Sequence, residues 1–190
     1  MILAQWRARR ANRFLIDQLH GKIVAVSRRP IHYIELGVRD RTDDRFEMVT
    51  LYAGLVMRRL SGLPAPGPEI AREIADSVFR HFEIALREAG IGDVALSKRL
   101  KRMAEAFFGR IKAYAEALDR SDRALLTAAL ARNIYGVAEA SAAPMAAGLA
   151  RVVLACAEAL ERTPLETFAR GEVVFPDPAT ALAPNEAGHG

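Results

Sequence analysis

GIGDVALSKRLKRMAEAFFGRIKAYAEAL, residues 90–118, is the stretch on which the fold turns. Leu100, Met103, Phe107, Ile111, Tyr114 and Leu118 recur in it at gaps of 3, 4, 4, 3 and 4. That spacing is one apolar stripe on an α-helix, and the stripe needs a core to face. Ser97 is the best capping residue ahead of it, so the helix is expected to begin there. Lys98, Arg99, Lys101 and Arg102 then fall in the first turns, where the positive end of the helix dipole disfavours each exposed cation by a few tenths of a kcal/mol. Water screens such charges well enough for a merely solvated face. The sharper alternative is a docking surface for something acidic.

The same periodicity runs through most of the chain. Ile16, Leu19, Ile23 and Val26 keep helical spacing from Arg13 towards Pro30, with a short strand over residues 23–26 as the competing assignment. A short helix opened by Pro30 and stopped by Gly37 follows. The next helix has Asp43 or Asp44 as cap, Glu47 at capping-box distance from Asp44, and Arg58 and Arg59 before Gly62. Phe46, Val49, Leu51, Tyr52, Leu55 and Leu60 make it apolar nearly all round, which places it centrally.

LPAPGPE, residues 63–69, reads as a rigid loop, and Ile70, Ile74, Val78, Phe82 and Leu86 mark another long helix up to Gly90. Ser121 and Asp122 start a helix with Leu126, Leu130, Asn133, Ile134 and Val137 on its inner side, and Pro144 opens a last long one to about Glu161. Thr163 and Pro164 begin a short helical turn. GEVVFPDP, residues 171–178, is expected to lie extended on the body through Val173, Val174 and Phe175. The expectation is an all-α fold: a single compact domain of about six or seven helices with a short extended C-terminal segment. Its parts are a basic arm at 1–11, a helical domain at 12–178 and a flexible tail at 179–190, where periodicity is lost.

With 190 residues, 51% of them hydrophobic, the chain is long enough to bury one core. The single cysteine, Cys156, sits at core spacing and excludes an internal disulfide, as suits a reducing compartment. The formal charge of +4 equals the four arginines at positions 7, 9, 10 and 13, because the other 23 basic residues match 23 acids. A neutral body with a cationic arm points to an anionic surface, lipid headgroups or ribosomal RNA, and away from DNA reading. Trp6 beside Arg7, Arg9, Arg10 and Arg13 is the candidate contact. Arginines interrupt any apolar leader, and residues 142–160, the longest apolar candidate, contain Pro144, Arg151 and Glu158. The expected location is the cytoplasm, with at most peripheral contact at the inner membrane.

Catalytic motifs are missing. His20, His32, His81 and His189 belong to no zinc-spaced cluster, and Glu-x-x-His, P-loop, GxGxxG and GxSxG patterns do not occur. His20 or His81 as a haem ligand competes with plain packing, as do the methionines Met57, Met103 and Met145. An enzyme acting on an isoprenoid or quinone would need more than the isolated Asp43–Asp44 pair. No enzyme, cofactor or metal is expected.

Several segments in order resemble the ubiquinol–cytochrome c chaperone family: RFEMVTL at 45–51, FRHF at 79–82, GIGD at 90–93 leading into LSKRLKRM at 96–103, and FFGR at 107–110. Arg29–Pro30, Tyr33, Gly37–Val38, ARNIYG at 131–136 and Phe175–Pro176 extend the similarity to bacterial members, over roughly residues 12–178. The resemblance implies an all-helical assembly factor for the respiratory quinol–cytochrome c reductase. It implies cytochrome b, or its nascent chain, as client, with the ribosome near its tunnel exit and a small helical partner as further contacts. The residues expected to meet the client are Lys98, Arg99, Lys101, Arg102, Phe107, Phe108 and Arg110. Phe107 and Phe108, about 100° apart around a helix, allow one in the core and one at a groove. A basic helical module binding RNA or the ribosome is the alternative function.

Overall fold

The computed structural model describes residues 2–183, with side chains from residue 12 onward. Six long helices build the body: α1 (Ile2–Ser27), α3 (Thr42–Ser61), α4 (Gly67–Glu88), α5 (Asp93–Asp119), α6 (Arg123–Asn133) and α7 (Met145–Glu161). One-turn helices α2 (Pro30–Ile34), α8 (Leu165–Ala169) and α9 (Pro178–Leu182) join or end them, and no strand occurs among the described residues. The strand alternative at residues 23–26 is thereby replaced by helix. Ile16, Leu19, Ile23 and Val26 all face inward from α1.

α3 is the hub. It packs against α1, α4, α5 and α7, and Met48, Leu51, Tyr52, Val56 and Leu60 are fully enclosed. Each such large side chain contributes about 1.5–3 kcal/mol by leaving water. Arg58 and Arg59 at its C-terminus do more than suit the dipole. Arg58 bridges Asp119 at 2.7 Å and Glu161 at 2.6 Å, while Arg59 donates to the Thr163 carbonyl at 3.0 Å. The ends of α3, α5 and α7 are thus tied together. Tight approach does the same midway along α3: a Cβ on Gly54 would lie 2.9 Å from Cγ1 of Ile111 on α5.

Four local expectations need correction. α5 begins at Asp93 after the extended Gly92, a turn before Ser97, because Leu96 extends the buried side that Phe107 and Tyr114 continue. Lys98 to Arg102 therefore lie in its second and third turns, beyond the reach of the terminal dipole. α3 takes Arg41 as N-cap with no side-chain cap, so Asp44 is free to pair with Arg39 at 3.1 Å and Glu47 to turn towards α5. In the C-terminal segment Val173 and Phe175 are buried but Val174 is 74% exposed, the alternation of an extended chain with one face on the core. Residues 178–182, placed across the start of the expected tail, form α9: Asp177 accepts from the Ala179 amide and Leu182 reaches Gly148 of α7.

Candidate functional site

α5 presents two different faces. Val94, Lys98, Lys101, Glu105, Phe108 and Lys112 follow one another at helical spacing and are all exposed. Beside this ridge Arg99, Met103, Ala106 and Arg110 form a second stripe that turns towards α3, with Arg102 on the shoulder between them. Among the described residues Lys98, Lys101, Arg102 and Lys112 make no ion pair, whereas Arg99 lies 3.4 Å from Asp43.

The two phenylalanines part as their spacing allows. Phe107 is fully buried, edge-on to Phe79 at 5.1 Å, so it cannot touch a client and is corrected to a core residue. Phe108 is 52% exposed, its ring 5.2 Å from Phe107 and 6.2 Å from Phe79, so an apolar surface spot rests on a rigid aromatic base.

Between α3 and α5 the arginine stripe lines a cavity of about 360 Å³, open to solvent, with Asp43, Phe46 and Glu47. Arg110 reaches Glu47 here, Nε to Oε2 at 2.5 Å, making it a cavity group more than a surface one. The N–H is not aimed at the oxygen, and both atoms lack a hydrogen-bond partner. Burial pushes the Glu47 carboxyl up to about 7; Arg110 pulls it down, while Asp44 and Asp43 push it further up. By its spacing in the sequence Glu47 reads only as a capping residue. The available signal was an acid inside a helix that is otherwise apolar nearly all round.

The described histidines, His20, His32 and His81, serve packing, and His189 lies outside the described residues. His20 of α1 stacks on His81 of α4 with centroids 4.1 Å apart, and His81 donates through Nδ1 to the Ser77 carbonyl at 2.8 Å. His32 lies within hydrogen-bonding distance of the Val26 carbonyl, at 3.1 Å, and of the Tyr52 hydroxyl, at 3.0 Å. Burial, the largest cause in each, lowers His20 and His32 to about 4, so both rings are neutral at pH 7. Burial likewise pushes the Cys156 thiol up to about 12, as expected of a core cysteine. Among the described residues no group of three or more His, Cys, Asp and Glu side chains could hold a metal, and no helix is long and apolar enough to cross a membrane. A larger recess of about 720 Å³ near Met145, Arg123 and Arg151 holds no buried polar atom without a partner. Of the N-terminal candidates, Arg13 is exposed on α1. The side chains of Trp6, Arg7, Arg9 and Arg10 lie outside the described residues.

Comparison with known proteins bears on this arrangement directly. The family model described as ubiquinol–cytochrome C chaperone matches residues 35–175, which hold α3 to α8 and the whole cavity. The chain belongs to the ubiquinol–cytochrome c chaperone family. It is also similar to the crystal structure of the Cbp3 homologue from Brucella abortus: 35% identity, TM-score 0.82, over 94% of this chain and 98% of that one. None of the curated proteins matches the chain. Membership in this chaperone family, with a likeness that spans nearly the whole chain, makes the protein a chaperone of ubiquinol–cytochrome c reductase.

Proposed function

We propose that the protein receives cytochrome b, or its nascent chain, while ubiquinol–cytochrome c reductase is assembled, and that α5 is the helix it uses. The observation that carries this reading is the combination on one ridge of Lys98, Lys101 and exposed Phe108, with Arg102 on its shoulder, none of the cations engaged by an acid among the described residues. A surface of that kind suits a polypeptide that is apolar with acidic edges, which describes a membrane segment and its flanks before insertion. Arg99 and Arg110 act from the cavity wall, and Phe107 supports Phe108 from below. Holding a client requires no chemistry on a substrate. Arg13 and the arm before it would keep the complex against the anionic cytoplasmic face of the inner membrane.

A photo-crosslinking residue placed at Lys101 or at Phe108 in cells tests the proposal. Cytochrome b should be the main adduct, and removal of the gene should lower the assembled reductase and membrane b-type haem without changing the cytochrome b transcript. Adducts consisting of ribosomal RNA or ribosomal protein would favour the basic-module alternative instead.

A further inference from the structure

Glu47 and Arg110 are a pair that packing alone does not explain. An acid only 8% exposed, next to a guanidinium with which it makes no aligned hydrogen bond, leaves two buried polar atoms without partners. Their charges attract, but each atom still has a hydrogen bond to make. Both line a cavity of about 360 Å³, roughly ten times the ~30 Å³ share of one water, which is room for a guest side chain. Arg99 and Arg102 stand in its wall, and Phe46 and Met103 make part of it apolar. The wall thus offers guanidinium donors for an oxyanion and an apolar surface for a short methylene stem.

We propose that this cavity takes up an acidic side chain of the docked polypeptide, whose carboxylate displaces Glu47 as the partner of Arg110. The inference rests on α5 being the client-binding helix and adds the chemistry that the helix recognises. Glu47 already shows which anion Arg110 accepts, since a carboxylate on a two-carbon stem is the group in contact with it. A guanidinium pairs with a carboxylate through two parallel N–H bonds, whereas here Nε and Oε2 touch without an aligned one. An incoming carboxylate that reaches Arg110 and Arg102 would satisfy them and would leave Glu47 beside a like charge. Glu47 then takes one proton from solvent and, as a neutral acid, donates it in a hydrogen bond to the guest.

The groups that face Glu47 support that sign. From α5 come Arg110, with Arg99 and Arg102 farther out in the wall, and the buried Tyr114 hydroxyl; from α3 itself come Asp43 and Asp44. α4 contributes the uncharged ring of Phe82 against Phe46. With Glu47 titrating near 7, the fraction ready to accept a guest carboxylate falls about tenfold between pH 6 and pH 8, and apparent affinity falls with it.

The test is fluorescence anisotropy with the full chain and a labelled probe peptide, acetyl-Leu-Phe-Glu-Leu-Phe-amide, alongside its counterpart carrying glutamine in place of glutamate. The acidic peptide should bind about tenfold more tightly at pH 6 than at pH 8, and the glutamine peptide should bind more weakly with no pH dependence. Glu47→Gln should bind the acidic peptide at pH 8 as the unaltered protein does at pH 6. Equal affinity for the two peptides, or an unchanged pH slope in Glu47→Gln, overturns the proposal. Should that variant not fold, ¹³C NMR of the unaltered protein decides: the acidic peptide must raise the Glu47 titration midpoint, and a midpoint that stays in place overturns it. Competition by phosphatidylglycerol vesicles that depends on Glu47 would replace the polypeptide with a lipid headgroup and also overturn it. These signatures without a cytochrome b crosslink would uphold the pocket while removing the proposed client. A cytochrome b crosslink that is indifferent to Glu47 would do the reverse.

Discussion

Lowering the pH from 6.5 to 4.5 should destabilise this protein through two histidines, and Glu47 should hide half of the loss. His20 and His32 titrate at about 4 in the fold against an ordinary 6.5, because burial disfavours their charged forms. Between those values the unfolded chain binds more protons, so their contribution is complete above 6.5 and is lost as pH falls towards 4. Glu47 has the opposite sign. Its carboxyl is raised from 4.5 to about 7, so its contribution is present below 4.5 and lost as pH rises through 7. Integrating over the interval gives a cost of about 2 kcal/mol for each histidine and a return of about 2 kcal/mol from Glu47. The net loss is then about 2 kcal/mol, or a fall in Tm of about 4–8 °C at this chain length. In Glu47→Gln the return vanishes and the loss should double to about 4 kcal/mol, while His20→Phe should reduce it by about 2 kcal/mol. Urea unfolding at the two pH values, read by circular dichroism, measures all three proteins. Other carboxylates titrate alike in each, so the difference between variants is the readout. If Glu47→Gln and the unaltered protein lose stability equally, Glu47 is not held near neutrality and the account of its burial is wrong.

Phe107→Ala should cost about 3–5 kcal/mol in urea unfolding, because a fully enclosed ring leaves a cavity against Phe79, whereas Phe108→Ala should stay within about 0.5 kcal/mol and yet weaken cytochrome b crosslinking. Gly54→Ala should cost about 1–3 kcal/mol by pushing α5 off α3, and Ile111→Ala in the same chain should lessen the additional penalty in a double-mutant cycle. The triple reversal K98E/K101E/R102E should leave Tm within a few degrees, since these exposed side chains make no ion pair among the described residues, and should abolish capture of the acidic probe peptide. Unfolding of the triple variant would show the cations to be structural and would remove α5 as the docking helix.

The long helices were legible because each announces itself locally. Met103, Phe107, Ile111, Tyr114 and Leu118 face the neighbouring helices to varying depth, and the apolar circumference of α3 correctly placed it at the centre. Errors arose where a local rule met a distant partner. Ser97 is a better cap than Gly92 by residue chemistry, yet one further buried residue, Leu96, was enough to extend α5 by a turn. Capping-box spacing assigned Glu47 to its own backbone, but Arg110 on another helix holds it. The start of α9 had its signal, an aspartate followed by proline, and was missed because the residues after it lack a helical period.

That division also separates what the sequence says about function from what it does not. The lysine ridge can be counted along one helix, since exposure at positions 94, 98, 101, 105, 108 and 112 follows from the same period that buries the opposite face. The cavity beside it has no period of its own. It exists because Gly54 lets α5 approach α3 closely, which brings the Arg99 to Arg110 stripe up to the first turns of α3, where Asp43 and Glu47 face it. Neither helix alone reveals that an acid and a guanidinium will share a buried corner. Acid–base properties follow the same logic: Glu47 titrates near neutrality because packing removes water from it more completely than Arg110 compensates. A helix whose charges can be read from its period thus gains a pH-sensitive neighbour that only the packed pair can produce.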